Sequence, residues 1–342
     1  STQAKTLFPY TTLFRSVYGH ELQAFRYKVV ARETEELFDL FIPGLFIAPN
    51  STVEGSFSTR TFDLDLTADI PFMRFGAIGI DSLELIADKT LDLLAFSAHS
   101  TRQRFTDSLW TAGTAITGKA YQDELEIELG WTTSNSGTNG DLELLGEVRG
   151  PSAISLDLLP SSLYFGRGTW TTATPTHIVI DSSTVVIDSL VLANEGQRLA
   201  FGGTVAKDPE KALAFHLLDV DLLNLEPLFE GPILKGILNG TGTIHDLYGA
   251  PYVDSRLEMD SIAVNDIPVG DIRFAASWLE GQGALDLNGE LTRGPVKALD
   301  FTGRLGVKGD NELAMVLKMD QFDLTLVNPY LPEGISDLGG HV

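Results

Sequence analysis

Residues 234–259 read "LKGILNGTGTIHDLYGAPYVDSRLEM". Glycines at short spacing fall in "GTGTI", a turn signal falls in "GAP", and "SRLEM" alternates polar with apolar. The pattern predicts two strands joined by a corner. No helical pattern follows "GTGTI", so its glycines read as part of a strand corner rather than as a phosphate cradle.

The same period of two extends outward through most of the chain after residue 50. "TFDLDLTAD" sets Phe62, Leu64 and Leu66 against Asp63 and Asp65, and "DELEIELG" sets Leu125, Ile127 and Leu129 against Glu124, Glu126 and Glu128. "AISLDLLP" contributes Ile154, Leu156 and Leu158. "DSRLEMDSIAVND" contributes Leu257 and Met259, then Ile262 and Val264 after a break. "GALDLNGELT" contributes Leu285, Leu287 and Leu291, and "FDLTLVNP" contributes Phe322, Leu324 and Leu326. Turn clusters separate these runs: "TSNSGTNGD", "FGRGT", "KDPEK", "LEGQG" and "VKGDN". At ~8–12 residues per strand and turn, the chain has room for about 25–30 strands. Helical periodicity is confined to short stretches near 222–231 and 30–41. The expected fold class is all-β, one long and mostly antiparallel repetitive sheet.

Two segment pairs repeat at nearly one offset. "VDLLNLEPLF" (220–229) aligns with "FDLTLVNPYL" (322–331), and "LAFGGTV" (199–205) aligns with "LDFTGRL" (299–305). They suggest degenerate modules of roughly 100 residues, spanning about 17–130, 131–230 and 231–342. Chance similarity between Leu-rich strands is the alternative.

Residues 1–16 stand apart. The first acidic residue of the chain is Glu21, and "KTLFPYTTLFRS" resembles a translated sequencing-adapter read-through. A native linker is the other reading, and on either one the fold begins after residue 16.

Composition narrows the function. Hydrophobic residues make up 43% of the chain, which argues against disorder. The 24 Lys and Arg against 47 Asp and Glu give a net charge of −23, which repels nucleic-acid phosphates and anionic lipid headgroups alike. That charge is no obstacle to holding the apolar tails of lipids. The absence of cysteine removes disulfides, thiolate catalysis and Cys-ligated zinc. No apolar run reaches the ~18 residues of a membrane span. The nearest, "LFDLFIPGLFIAP" at 37–49, is broken by Asp39, Pro43 and Gly44. No secretory signal pattern is evident, so a membrane anchor would belong to sequence outside this chain.

Catalytic patterns are sparse. The histidines at 20, 99, 177, 216, 245 and 341 are never closer than 29 residues, so no helical metal pair forms. GxSxG, P-loop and GxGxxG patterns do not occur. The pairs Asp63/Asp65 and Asp219/Asp221 have the spacing of a wet strand face, which is a simpler reading than glycosidase carboxylates or calcium ligands. No cofactor is expected.

The alternating strands set a physical problem, because a flat sheet of this kind leaves its dry face in water at about 25 cal/mol per Å². A second sheet can cover that face, the sheet can close on itself, or it can form an open trough that a ligand covers. The candidate lining is Leu64, Leu66, Leu125, Ile127, Leu129, Leu156, Leu158, Leu257, Met259, Leu285, Leu287, Leu324 and Leu326. It is almost purely aliphatic, and it suits flexible hydrocarbon better than a polar cofactor. From alternation alone, a packed core is the simpler outcome.

The runs "HIVIDSSTVVIDSLVLANEGQRLAFGGTV" (177–205) and 215–278, with "LKGILNGTGTI", "YGAP", "SRLEM" and "VGDIRF" in succession, resemble the periplasmic body of TamB-type proteins in the AsmA-like superfamily. "ELFDLFIPGLFIAPNSTVEGSF" (36–57) resembles a recurring piece of Bacteroidetes-type members. The resemblance covers roughly residues 20–342. It implies a sheet bent into a taco-like apolar groove, with a few short helices, that conducts phospholipid between inner and outer membrane. It also implies support of outer-membrane protein assembly, an inner-membrane anchor, and an outer-membrane partner met through a terminal domain. Anchor and terminal domain are not recognisable here, so the resemblance implies an internal fragment in the periplasm, with phospholipid acyl chains as its ligand and no catalytic residues. Two other readings stay open: a structural or adhesive β-solenoid of the cell envelope with a filled core, and a carbohydrate-active β-helix enzyme.

Overall fold

A computed structural model describes residues 24–32, 44–76, 78–105, 110–132, 139–150, 152–206, 210–228, 232–247, 251–279, 282–306 and 313–320, with Ile42, Asp208 and Gly340. The expected strand carrying Leu324 and Leu326, the second copy of the 220–229 repeat and residues 1–16 lie outside the described residues. Of the expected helix near 30–41, residues 33–41 also lie outside them, and Val30 ends a strand.

The described residues form one antiparallel sheet of 22 strand segments. In chain order they are β1 (Ala24–Val30), β2 (Leu45–Ile47), β3 (Thr52–Ser58), β4 (Leu64–Phe75), β5 (Ile78–Thr90), β6 (Leu93–Arg104), β7 (Trp110–Tyr121) and β8 (Glu124–Thr132). There follow β9 (Asn139–Val148), β10 (Ile154–Leu158), β11 (Ser162–Phe165), β12 (Gly168–Thr171), β13 (Thr176–Ile180), β14 (Thr184–Asn194), β15 (Gln197–Ala206) and β16 (Ala212–Asp221). The last six are β17 (Leu234–His245), β18 (Tyr252–Val264), β19 (Ile267–Leu279), β20 (Ala284–Arg293), β21 (Val296–Gly306) and β22 (Leu313–Met319). One 3₁₀ helix, Leu222–Leu228, follows β16 where short helical periodicity is expected. No helix among the described residues is long and apolar enough to cross a membrane.

The connections are those of a simple meander. β2 and β3 lie end to end along β4. β10 and β11 lie end to end along β9, and β12 and β13 lie end to end along them. β1 pairs with β3, and every other strand pairs with its sequence neighbours, from β1 at one edge to β22 at the other. The opening stretch forms most of β17 and β18, which share nine residue pairs in one register and two more beyond a shift between Lys235 and Ile237. The repeat segments 199–205 and 299–305 lie in β15 and β21, and the sheet runs unbroken through residues 130–131 within β8.

Register places the alternating residues as expected, with one correction. Leu64 and Leu66 lie inward on β4, but Phe62 does not share their face. It precedes the strand in a left-handed turn (φ 57°) and is 62% exposed. The turn closes when the Ser58 N–H donates to the Asp63 carbonyl, which leaves Phe62 outside the ladder.

A one-residue insertion recurs along many strands. Pairing shifts between Ala112 and Ala115, Ile187 and Leu190, Leu217 and Val220, and Met259 and Ile262. Gly113, Asp219 and Ser261 there have φ between 51° and 55°. Each bulge reverses the parity of the strand beyond it. Met259 and Ile262 therefore stay on one face, and the break in "DSRLEMDSIAVND" is this bulge.

The opposite face is mostly polar and acidic, with single apolar residues such as Ile86, Leu93 and Leu145 exposed on it. Lys297 lies 2.9 Å from Glu290 and 2.6 Å from Asp300, and Arg273 reaches Glu290 at 3.5 Å. The Lys297 ammonium holds the Glu290 carboxyl below its usual range. Exposed pairs of this kind set register more than they add stability. The β13–β14 turn is tied by Asp181, whose carboxylate accepts from the Thr184 hydroxyl (2.7 Å) and from the Ser183 and Thr184 N–H groups (2.7 and 2.8 Å). The Thr184 hydroxyl bond is the largest cause that lowers its pKa to about 2. A depressed carboxyl stabilises above its unfolded value, and loses that effect as pH falls through the folded one. Amide protection at Ser183 and Thr184, measured against intrinsic exchange at each pH, should therefore be high at pH 5 and fall as pH drops toward 2. In Asp181→Ala it should be low across the whole range.

Thiol labelling tests the faces directly. Cysteines at positions 124, 126 and 128 are expected to react with a polar reagent several-fold faster than cysteines at 125, 127 and 129. The glutamates there are exposed, whereas Leu125, Ile127 and Leu129 are half-buried. Equal rates would remove the strand register.

Candidate functional site

The inward residues form ladders that cross the sheet. One runs Leu64, Lys89, Leu94, Ala120, Leu125, Gly146, Leu156, Ile178 and Ile187. It continues through Gly203, Leu213 and Ile244 to Val253. Lys89 keeps the ladder dry by sending its ammonium to the rim, onto the Phe62 and Leu91 carbonyls at 3.0 and 2.6 Å. A second ladder runs Leu66, Ala87, Phe96, Gly118, Ile127, Leu144 and Leu158, and Leu129 belongs to a third with Ile116 and Leu142. In the later strands, Leu257 joins Leu217, Gly240 and Phe274, and Met259 joins Leu238 and Ile272. Leu285 and Leu287 follow with Leu305 and Gly303. All eleven described candidate residues thus share one face.

Glycines on this face sit under aromatic rings of the next strand. A Cβ on Gly118 would lie 2.2 Å from the Phe96 ring, one on Gly242 2.5 Å from Phe215, one on Gly289 2.3 Å from Phe301, and one on Gly140 2.7 Å from Trp131. Each pair is directly opposite in register. The ring fills the volume that glycine leaves and lies along the sheet instead of standing on it, as in designed sheets where an aromatic covers a glycine. This accounts for Gly242 in "GTGTI".

The face is not sealed. On this face Val148, Ile180 and Met315 are exposed. Leu64, Leu66, Leu125, Ile127, Leu129, Leu156 and Leu287 are half-buried, whereas Leu158 and Leu285 are buried by their neighbours.

Two regions are filled: a small one around Leu291 and Ala298, and a larger one. In the larger, Trp170, Val220, Leu222, Leu238 and Ile262 pack together, with Leu163, Phe165, Leu217, Leu257 and Met259 around them. The 3₁₀ helix after β16 supplies Leu222 and folds back to the β11–β12 turn. There the Arg167 N–H donates to Asn224 Oδ1 (3.0 Å), and Arg167 pairs with Glu226 at 3.2 Å. Gln197 accepts from the Asp221 N–H and from Asn224 Nδ2, each at 2.9 Å. Beside this cluster the face holds a hollow of about 270 Å³, walled by Phe105, Leu129, Trp131, Leu163, Tyr164 and Phe165.

The polar face carries a constellation that sequence reading missed. His177 Nδ1 lies 2.7 Å from Asp157 Oδ1, and its Nε2 lies 3.4 Å from the Ser155 hydroxyl. The order of groups matches a nucleophilic relay. Ser155, however, is only 4% exposed, and a nucleophile needs an open approach for the carbonyl it attacks. The arrangement ties β10 to β13 and offers no reaction site. The signal was "SLD" on one strand with a histidine on the next, legible only once Asp157 and His177 are known to be opposite. Among the described residues, no group of three or more metal-ligating side chains converges.

Comparison with known protein families, with characterised proteins and with solved structures finds no match to this chain.

Proposed function

We propose that this chain is a non-enzymatic segment of an AsmA/TamB-like periplasmic protein, and that its apolar sheet face receives phospholipid acyl chains between inner and outer membrane. The observation that carries the reading is the half-exposed aliphatic face, continuous in register from Leu64 to Val253. Its length and chemical uniformity fit a ligand that slides, because no polar group fixes one position. Curvature of the sheet into an open groove and support of outer-membrane protein assembly belong to the same proposal, and follow from the resemblance of the chain's repeated corners to that family. Its net charge of −23 fits contact through tails and not through anionic headgroups.

A structural β-solenoid is the second reading, favoured by the packed Trp170–Val220–Leu222 cluster. Mass spectrometry of protein purified without detergent separates the two. Stoichiometric co-purified phospholipid is the expected result. Lipid-free protein that takes up no phospholipid from vesicles would favour the solenoid.

A further inference from the structure

We propose that the hollow walled by Phe105, Leu129, Trp131, Leu163, Tyr164 and Phe165 is a discrete seat for a single hydrocarbon tail, a fixed stop on an otherwise uniform face. The inference rests on the tail-binding reading above and adds a location to it.

Three features set the hollow apart. Four of its lining side chains, Phe105, Trp131, Tyr164 and Phe165, are aromatic, whereas the ladder from Leu64 to Val253 carries no aromatic residue. Its few polar side chains bond one another or a neighbour: the Thr111 and Thr114 hydroxyls bond each other at 3.1 Å, and Gln103 Nε2 donates to the Ser100 hydroxyl at 3.2 Å. The surface presented to an occupant is almost wholly apolar, which suits hydrocarbon. Its volume of about 270 Å³ falls just below the ~300–1,000 Å³ of pockets that enclose drug-sized ligands, which suits part of a lipid and not a whole one.

The hollow also has an end. Leu163 and Phe165 wall it on one side and pack on the other against the cluster around Trp170, which is 1% exposed. The Arg167–Glu226 and Arg167–Asn224 contacts hold the 3₁₀ helix over that cluster. A tail advancing along the face from β6 toward β11 meets filled core there and halts. Phe105, 36% exposed, marks the open side.

Trp131 makes the seat testable, because bromine quenches indole fluorescence only at close range. The full chain is titrated with 9,10-dibromostearate and, as control, with stearate. The expected result is saturable quenching by the brominated acid alone, with more than half of it lost in Trp131→Phe. Thr111→Phe, which fills the hollow, should abolish the Trp131 component while the melting temperature holds. Equal quenching in Trp131→Phe and the parent overturns the seat, as does quenching that survives Thr111→Phe. A parallel crosslink to phospholipid from a photoreactive residue at Leu125 separates the two levels. Crosslinks without Trp131 quenching remove the seat and leave the face, and loss of both removes the face as well. An aromatic side chain of a partner protein as the natural occupant would show as no saturable tail binding, and this also overturns the proposal.

Discussion

Val220→Asp is expected to abolish cooperative folding of β12–β19, whereas Leu125→Asp should leave the melting transition in place. The residues carry similar aliphatic side chains on the same sheet face and differ in what covers them. Val220 is 0% exposed, enclosed by Trp170, Leu222, Leu238 and Ile262. A carboxylate there has no partner and no water, which costs several kcal/mol against a typical stability of ~5–15 kcal/mol. Leu125 is half-buried beside Ala120 and Gly146, so a carboxylate there keeps much of its hydration. Its expected penalty is the lost apolar contact, about 1–2 kcal/mol. Phospholipid crosslinking from a neighbouring inward position should nevertheless fall sharply, because the charge now interrupts the dry ladder. Circular dichroism melts of both variants check the folding half. A collapsed melt for Leu125→Asp would mean that the face is sealed.

The second large effect is expected at Gly166. It holds φ 64° in the β11–β12 turn, and a Cβ would lie 2.2 Å from the Asn224 carbonyl oxygen and 2.6 Å from its Cα. Both obstacles are backbone, so neither can rotate away. Gly166→Ala therefore combines left-handed strain of ~1–2 kcal/mol with overpacking of ~1–3 kcal/mol. The outcome is a destabilisation of about 3 kcal/mol and a 3₁₀ helix lifted from the Trp170 cluster. A shift of Trp170 fluorescence toward the solvent-exposed value, together with the lower melting temperature, would register it. An unchanged melt would show that the helix is not seated on the turn. Arg167→Ala tests the same latch more gently. It removes only the exposed Glu226 pair, worth ~0–1 kcal/mol, because the bond to Asn224 uses the backbone N–H and survives.

Much of the fold was legible because the meander is local. In a sheet where nearly every strand pairs with its neighbour in sequence, period-two alternation and turn residues carry most of the information. "DELEIELG" and "DSRLEMDSIAVND" show this: the inward sets are as written, and even the bulge at Ser261 left a trace as a change of parity. Phe62 was misplaced because alternation cannot tell the last turn residue from the first strand residue. The 3₁₀ helix was visible as helical periodicity, but its role was not. "LLNLEPL" reads as a connector, and nothing local says that Leu222 meets Trp170 fifty residues earlier. The hollow was invisible for the same reason, since Phe105 follows β6 while Trp131 lies on β8 and Phe165 on β11, none of them adjacent in the sheet. The aromatic–glycine pairs fall between these cases. Phe215 and Gly242 are both conspicuous, but their partnership depends on a register that the bulge at Asp219 shifts.

On the proposed function, one face of this sheet meets hydrocarbon and the other meets water. Ile127 and Glu126 are adjacent on β8 and point to opposite faces. A photoreactive residue at each, irradiated in protein incubated with phospholipid vesicles, tests the claim at one strand. Phospholipid adducts are expected at 127 and essentially none at 126. Equal labelling at the two positions, or none at 127 in a protein that melts normally, would contradict it.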